Sequence, residues 1–138
     1  MAQQAMESPV LAEGVEGCVV LVVSAERDFL DHYREVFLAL GLVPITATSA
    51  AAATSILNLM IITMIVINQH NGVPAVRKIL KRVQNSQPHA LGFVIGQDPE
   101  LRLPSEARAL GGAEFLDHPA GAQDFVHAFE LVHGGAHH

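Results

Sequence analysis

The chain has 138 residues, half of them hydrophobic, and carries 14 acidic against 8 basic side chains for a formal net charge of -6. That is the size and composition of one globular domain able to bury a core without staples, and the acidic balance excludes a face of clustered Lys and Arg of the kind that nucleic-acid phosphates require. A single cysteine, Cys18, excludes an intrachain disulfide and predicts a reducing compartment, the cytoplasm.

Residues 1–16 carry Glu7, Glu13 and Glu16 with no basic start, so they read as a flexible lead-in and not as a signal peptide. A domain is expected over 17–134. The tail 135–138 resembles a purification-tag remnant, and His137 and His138 carry no functional argument. The valine-rich run Cys18–Val23 predicts a first strand buried on both faces. From Glu26 to Leu40, Phe29, Tyr33, Val36, Phe37 and Leu40 recur at helical spacing, and Gly41 follows where a helix-ending glycine belongs. Leu42–Thr48 predicts a second strand, and Ser49 the N-cap of an alanine-rich helix reaching Met60. A β-branched run, Ile61–Ile67, predicts the third strand.

Asn71-Gly72 marks a turn, after which Val76, Ile79, Leu80 and Val83 form the stripe of a third helix. Leu91–Ile95 is the expected fourth strand. A helix is expected within Asp98–Leu110, limited by Pro99 and Pro104, and Ala113–Leu116 is the expected fifth strand. A last helix over Gln123–Val132 places Phe125, Ala128, Phe129 and Val132 on one face. Glu35 to Arg77 encloses no Asp, Glu, Lys or Arg, yet Gly41, Pro44, Asn58 and several Ser and Thr interrupt it. No window of about 20 apolar residues remains to span a membrane.

Five strands alternating with five helices predict a doubly wound α/β domain with a parallel sheet. Its functional crevice belongs at the carboxyl ends of the strands. The residues there are Ser24, Ala25 and Glu26 after the first strand, Asn68 after the third, Gly96 after the fourth and His118 after the fifth.

These positions and their intervals, together with the strings Val-Leu-Val-Val-Ser-Ala-Glu-Arg-Asp and Gly-Ala-Glu-Phe-Leu-Asp-His-Pro, resemble the CheY-like receiver domains of two-component response regulators. The resemblance runs from about Gly17 to Val132 and implies a flavodoxin-like (βα)5 fold with strand order 2-1-3-4-5. It implies that strand one should end in an acidic pair holding Mg²⁺, strand three in the phosphorylated Asp, strand four in Thr or Ser, and strand five in Lys-Pro. Here Ser24 and Ala25 offer no carboxylate and leave Glu26 as a weak magnesium ligand, so Mg²⁺ binding is expected to be lost or weak. Asn68 is an amide that cannot form an acyl phosphate. Gly96 has no hydroxyl, and His118 stands for the phosphate-pairing lysine. Phe115 occupies the place of the family's switch aromatic, with ordinary core burial as its plain explanation. The resemblance also implies a cis His118-Pro119 bond.

The expected function is therefore that of a pseudo-receiver, an atypical response-regulator module in phosphorelay signalling. It would bind a protein partner or a second copy as a homodimer without phosphorylation, would not be an enzyme and would need no cofactor. In the family the fourth helix, fifth strand and fifth helix carry output, which singles out Phe115, His118 and Pro119 as interface. The charge-free helix after Ser49 adds Ala51 and Ala52, with a merely small, soluble surface as the plain alternative. A competing class is a flavodoxin-like ligand-binding or enzymatic domain using Ser24, Glu26, Asn68 and His118 in the same crevice. Asn68-Gln69-His70-Asn71-Gly72 faintly resembles the cobalamin string Asp-x-His-x-x-Gly, but Val73 replaces its glycine. The scattered histidines lack metal-site spacing, although His70 and His118 are expected to converge near the crevice. Asp98 and Asp117 are other nearby carboxylates, each at a strand end different from that of the family's nucleophile.

Overall fold

The computed structural model describes residues 17–97 and 113–133. The lead-in, the tail and the helix expected within Asp98–Leu110 lie outside the described residues. Five strands, β1 (Val19–Val23), β2 (Val43–Ala47), β3 (Met64–Asn68), β4 (Leu91–Gly96) and β5 (Glu114–Asp117), form one parallel sheet in the order β2-β1-β3-β4-β5. Four α-helices accompany them among the described residues: α1 (Arg27–Ala39), α2 (Ala50–Leu59), α3 (Val73–Ser86) and α4 (Ala122–His133).

Side chains alternate across the sheet with the period-two geometry of a strand. Val20, Val22, Met64, Val66, Phe93 and Ile95 meet Phe29, Tyr33 and Phe37 of α1 and Phe125 of α4 on one face. Leu21, Val23, Ile65, Ile67 and Val94 meet Leu57 of α2 and Ile79, Leu80 and Val83 of α3 on the other. Each buried strand therefore reads as an unbroken apolar run, because both of its faces are covered by helices.

Local signals fix the ends of these elements. Ser49 Oγ accepts from the Ala52 N–H and caps α2. Gly41 and Gly72 adopt φ of 82° and 94°, the left-handed region that follows α1 and precedes α3. The Asn71-Gly72 turn is the end of a 3₁₀ turn, Gln69–Asn71.

The third strand begins three residues later than the β-branched run predicts. Gln87, just past α3, explains the shift: its Oε1 accepts from Ile62 N–H at 2.6 Å, and its Nε2 donates to the carbonyls of Leu57 and Met60, both at 2.8 Å. One side chain thus satisfies three backbone groups of the α2-β3 connection, and Ile61 turns outward there instead of entering the ladder.

Candidate functional site

The carboxyl ends of β1, β3, β4 and β5 gather a small polar cluster. Asn68, the last residue of β3 and 3% exposed, donates from Nδ2 to Ser24 Oγ at 2.9 Å and to Glu26 Oε1 at 3.1 Å. Its Oδ1 accepts from the His70 N–H at 2.9 Å, which fixes the amide's orientation. Glu26 holds His70 Nδ1 at 3.0 Å through its other oxygen. This is why α1 lacks a side-chain cap: the carboxylate at its N-cap position is turned to Asn68 and His70. Those two hydrogen bonds, first from His70 and then from Asn68, hold the Glu26 carboxyl below its ordinary value.

His118 is anchored from the other side. The Ala120 N–H donates to Tyr33 Oη at 3.0 Å, and the same hydroxyl is hydrogen-bonded to His118 Nδ1 at 2.8 Å. Phe29 stacks on the His118 ring at 5.5 Å, and His32 Nε2 donates to the Ala120 carbonyl at 2.9 Å. The His118-Pro119 bond is cis. Tyr33 is fully buried, which pushes its phenol up to about 12.

Burial also lowers the His118 pKa from its ordinary value of 6.5, with His32 and His70 adding to the effect and Glu26 opposing it. A folded-state pKa below the unfolded one means that the unfolded chain takes the proton first. The stabilisation from neutral His118 is therefore complete above about pH 6.5 and is lost as pH falls through the folded value. Urea titrations from pH 8 to pH 5 are expected to show the stability gap between wild type and His118→Gln shrinking with acid; a constant gap would contradict this assignment.

Gly96, the last residue of β4, has a specific reason to lack a side chain. A Cβ there would fall 2.5 Å from Gln69 Cβ and 2.6 Å from its Cδ, closer than real Cβ atoms approach. Gln69, 2% exposed, fills the space that a side chain at position 96 would use. The cavity left between Glu26, Phe29, Asn68, His70, Gly96, Gln97 and His118 measures ≈30 Å³. That is room for about one or two waters.

Ser24, Glu26, Asn68, Gly96 and His118 thus come together as the strand-end geometry predicts, and His70 and His118 line the same small cavity. Ala25 does not join them; it lines a separate cleft of ≈400 Å³ beside Arg27, Arg34, Thr46 and Thr48. Phe115 is half-buried against the α2-α3 face of the core, in keeping with ordinary burial. Ala51 is exposed and Ala52 half-buried on α2, near the β2 edge, whereas Phe115, His118 and Pro119 sit at the β5 edge, so the five do not form one surface. The sequence reading saw Tyr33 only as part of the first helix's apolar stripe and Gln69 only in the turn after the third strand; their contacts at the site, to His118 and against Gly96, have no spacing signature.

The donor set does not suit Mg²⁺. Ala25 supplies nothing, Asn68 turns its amide nitrogen toward Ser24 and Glu26, and the one carboxylate lining the cavity among the described residues, Glu26, is already shared between Asn68 and His70. Among the described residues, no three His, Cys, Asp or Glu side chains gather closely enough to hold a metal ion. No buried side-chain polar atom among them lacks a hydrogen-bond partner.

No family model matches this chain, and no curated protein matches it in sequence. Solved structures do match it in shape. The signal receiver domain of an HD domain-containing protein from Pseudomonas fluorescens superposes with a TM-score of 0.73 at 19% identity, over 92% of this chain and 94% of that one. This chain has the receiver fold. A response regulator receiver domain from Clostridium thermocellum gives 0.71 at 22% identity, over 86% and 96% of the two chains. A Burkholderia pseudomallei response regulator, solved with a phosphorylated aspartic acid, a calcium ion and citrate, gives 0.74 at 16% identity over 87% and 72%. In this receiver fold, the amide of Asn68 ends the strand whose carboxyl terminus faces the crevice.

Proposed function

We propose that the chain is a pseudo-receiver: a response-regulator-type module of two-component signalling that works through protein contacts and not through an aspartyl phosphate. The observation that carries this reading is the Ser24-Asn68-Glu26-His70 hydrogen-bond network around a cavity of only ≈30 Å³. Its polar groups satisfy one another, and a phosphoryl group with its metal would have to break that network to enter. Without a charge-driven shift in the pocket, output follows from which protein occupies the surface, a partner or a second copy. No catalytic role and no cofactor belong to this reading. The cytoplasm is the compartment it implies, and neither nucleic acid nor membrane is among its partners. The competing idea, a small ligand or substrate held by Ser24, Glu26, Asn68 and His118, is disfavoured by the same cavity volume.

The deciding experiment is an NMR titration of labelled protein with Mg²⁺ and beryllofluoride, an analogue of the phosphoryl group. The amides around Asn68 and Phe115 are expected to stay unshifted. Saturable shifts at those positions would overturn the proposal.

A further inference from the structure

The overall acidic balance conceals a local cluster of the opposite sign. Between Glu35 and Asp98 the sequence has no acidic residue, and the basic residues of that stretch, Arg77, Lys78, Lys81 and Arg82, all fall on α3. Val76, Ile79, Leu80 and Val83 bury the inner side of this helix. At about 3.6 residues per turn the four basic side chains emerge on the opposite side, and all of them are exposed. The neighbouring helix α2, on the same face of the sheet, carries no charge that could balance them. The other face is of mixed sign: α1 and its N-cap Glu26 set Arg27 and Arg34 among Asp28, Asp31 and Glu35.

A polar outer face is what any surface helix needs for solubility. Helix stability, however, favours acidic residues in the first turn, basic ones in the last, and unlike charges three or four residues apart. α3 has no acidic residue in its first turn and no basic one in its last. Lys78 faces a like charge at i+3, Lys81, and another at i+4, Arg82. Among the described residues, none of these three side chains has a hydrogen bond or ion pair to relieve the repulsion. The stripe therefore weakens the helix that carries it, and the stability of the fold does not explain it.

We propose that the exposed side of α3 is the docking site for a short acidic segment of a partner protein, its carboxylates laid along Arg77, Lys78, Lys81 and Arg82. The reach of the charge selects this occupant. The stripe spans about 7.5 Å of helix axis, and at physiological salt exposed charges are screened beyond about 8 Å. A short acidic segment thus meets the stripe alone. A nucleic acid has to run past it, over a remainder that holds only 4 of the 8 basic residues against all 14 acidic ones. An anionic membrane finds no second attachment, because none of the exposed large hydrophobic side chains among the described residues is on α3 to enter a bilayer.

This inference rests on the reading of the chain as a module of protein contacts and gives the chemistry of one contact. The two fail separately, since beryllofluoride shifts around Asn68 would overturn the pocket reading and leave this contact standing. The test is an NMR titration of the labelled full chain with decaglutamate, run beside a ten-nucleotide oligothymidylate and phosphatidylserine vesicles. Decaglutamate is expected to give saturable shifts at the amides of Lys78, Lys81 and Arg82, with affinity falling about 10-fold as salt rises from about 0.05 to about 0.3 M. Lys81→Glu replaces repulsion from Lys78 by attraction, so it is expected to raise the thermal midpoint by about 1–3 °C and to cut the decaglutamate affinity about 10-fold or more. Arg34→Glu makes the same change in net charge on the other face and is expected to leave that affinity within about twofold of wild type. A lower midpoint for Lys81→Glu would show that the stripe serves the fold and would overturn the proposal. So would the absence of saturable shifts on α3, an equal loss of affinity in Arg34→Glu, tighter binding of the oligothymidylate or the vesicles, or α3 shifts on concentrating the protein alone, which would give the stripe to a second copy.

Discussion

Gly96→Thr, which adds a β-branched side chain with a hydroxyl at this strand end, is expected to destabilise the protein by about 3 kcal/mol or more. The added Cβ would lie 2.5 Å from Gln69 Cβ, an atom fixed to the backbone that cannot rotate away. Gln69 is buried between the strand ends, so relief requires the 3₁₀ turn Gln69–Asn71 to move. Partner substitutions locate the collision. Gln69→Ala keeps the Cβ and should rescue Gly96→Thr poorly, whereas Gln69→Gly removes it and should recover about 1–3 kcal/mol as coupling in a double-mutant cycle. Urea denaturation measures each corner of the cycle. A Gly96→Thr protein within about 0.5 kcal/mol of wild type would show that Gln69 does not own this space.

Asn68→Asp, which puts a carboxylate where the pseudo-receiver reading proposed above places a lost phosphoryl acceptor, is expected to leave the protein both unphosphorylated and less stable. The wild-type amide donates to Ser24 Oγ and Glu26 Oε1; a carboxylate turns that donor into an acceptor and sets a second negative charge against Glu26 at a site 3% exposed. The cost is on the order of 2–4 kcal/mol near neutral pH. It should shrink in acid, because protonation of the new carboxyl removes the repulsion and returns a donor. Incubation with acetyl phosphate and Mg²⁺ is expected to leave the intact mass unchanged, since Ser24 and Ala25 still supply no carboxylate. A stable phosphoryl adduct on the single variant would show that one residue alone silences the site.

The sequence by itself determined the architecture and the address of the crevice. Valine-rich runs bounded by helical stripes can be buried only as a parallel sheet covered on both faces, and such a sheet puts Ser24, Glu26, Asn68, Gly96 and His118 at one end. Their chemistry was legible too, because the lack of a carboxylate at Asn68 or a hydroxyl at Gly96 is a property of residue type. Tertiary structure alone decided how those residues are used. Ala25 faces a different cleft because neighbouring residues at a strand end diverge, and Ile61 leaves the third strand because Gln87, distant in sequence, captures the backbone beside it. The glycine at position 96 is explained only when Gln69 is seen filling its space, and the lowered pKa of His118 only when its burial and the nearby His32 are seen. Periodicity records which face a residue takes; hydrogen bonds between residues far apart in the chain and competition for the same volume leave no period to read.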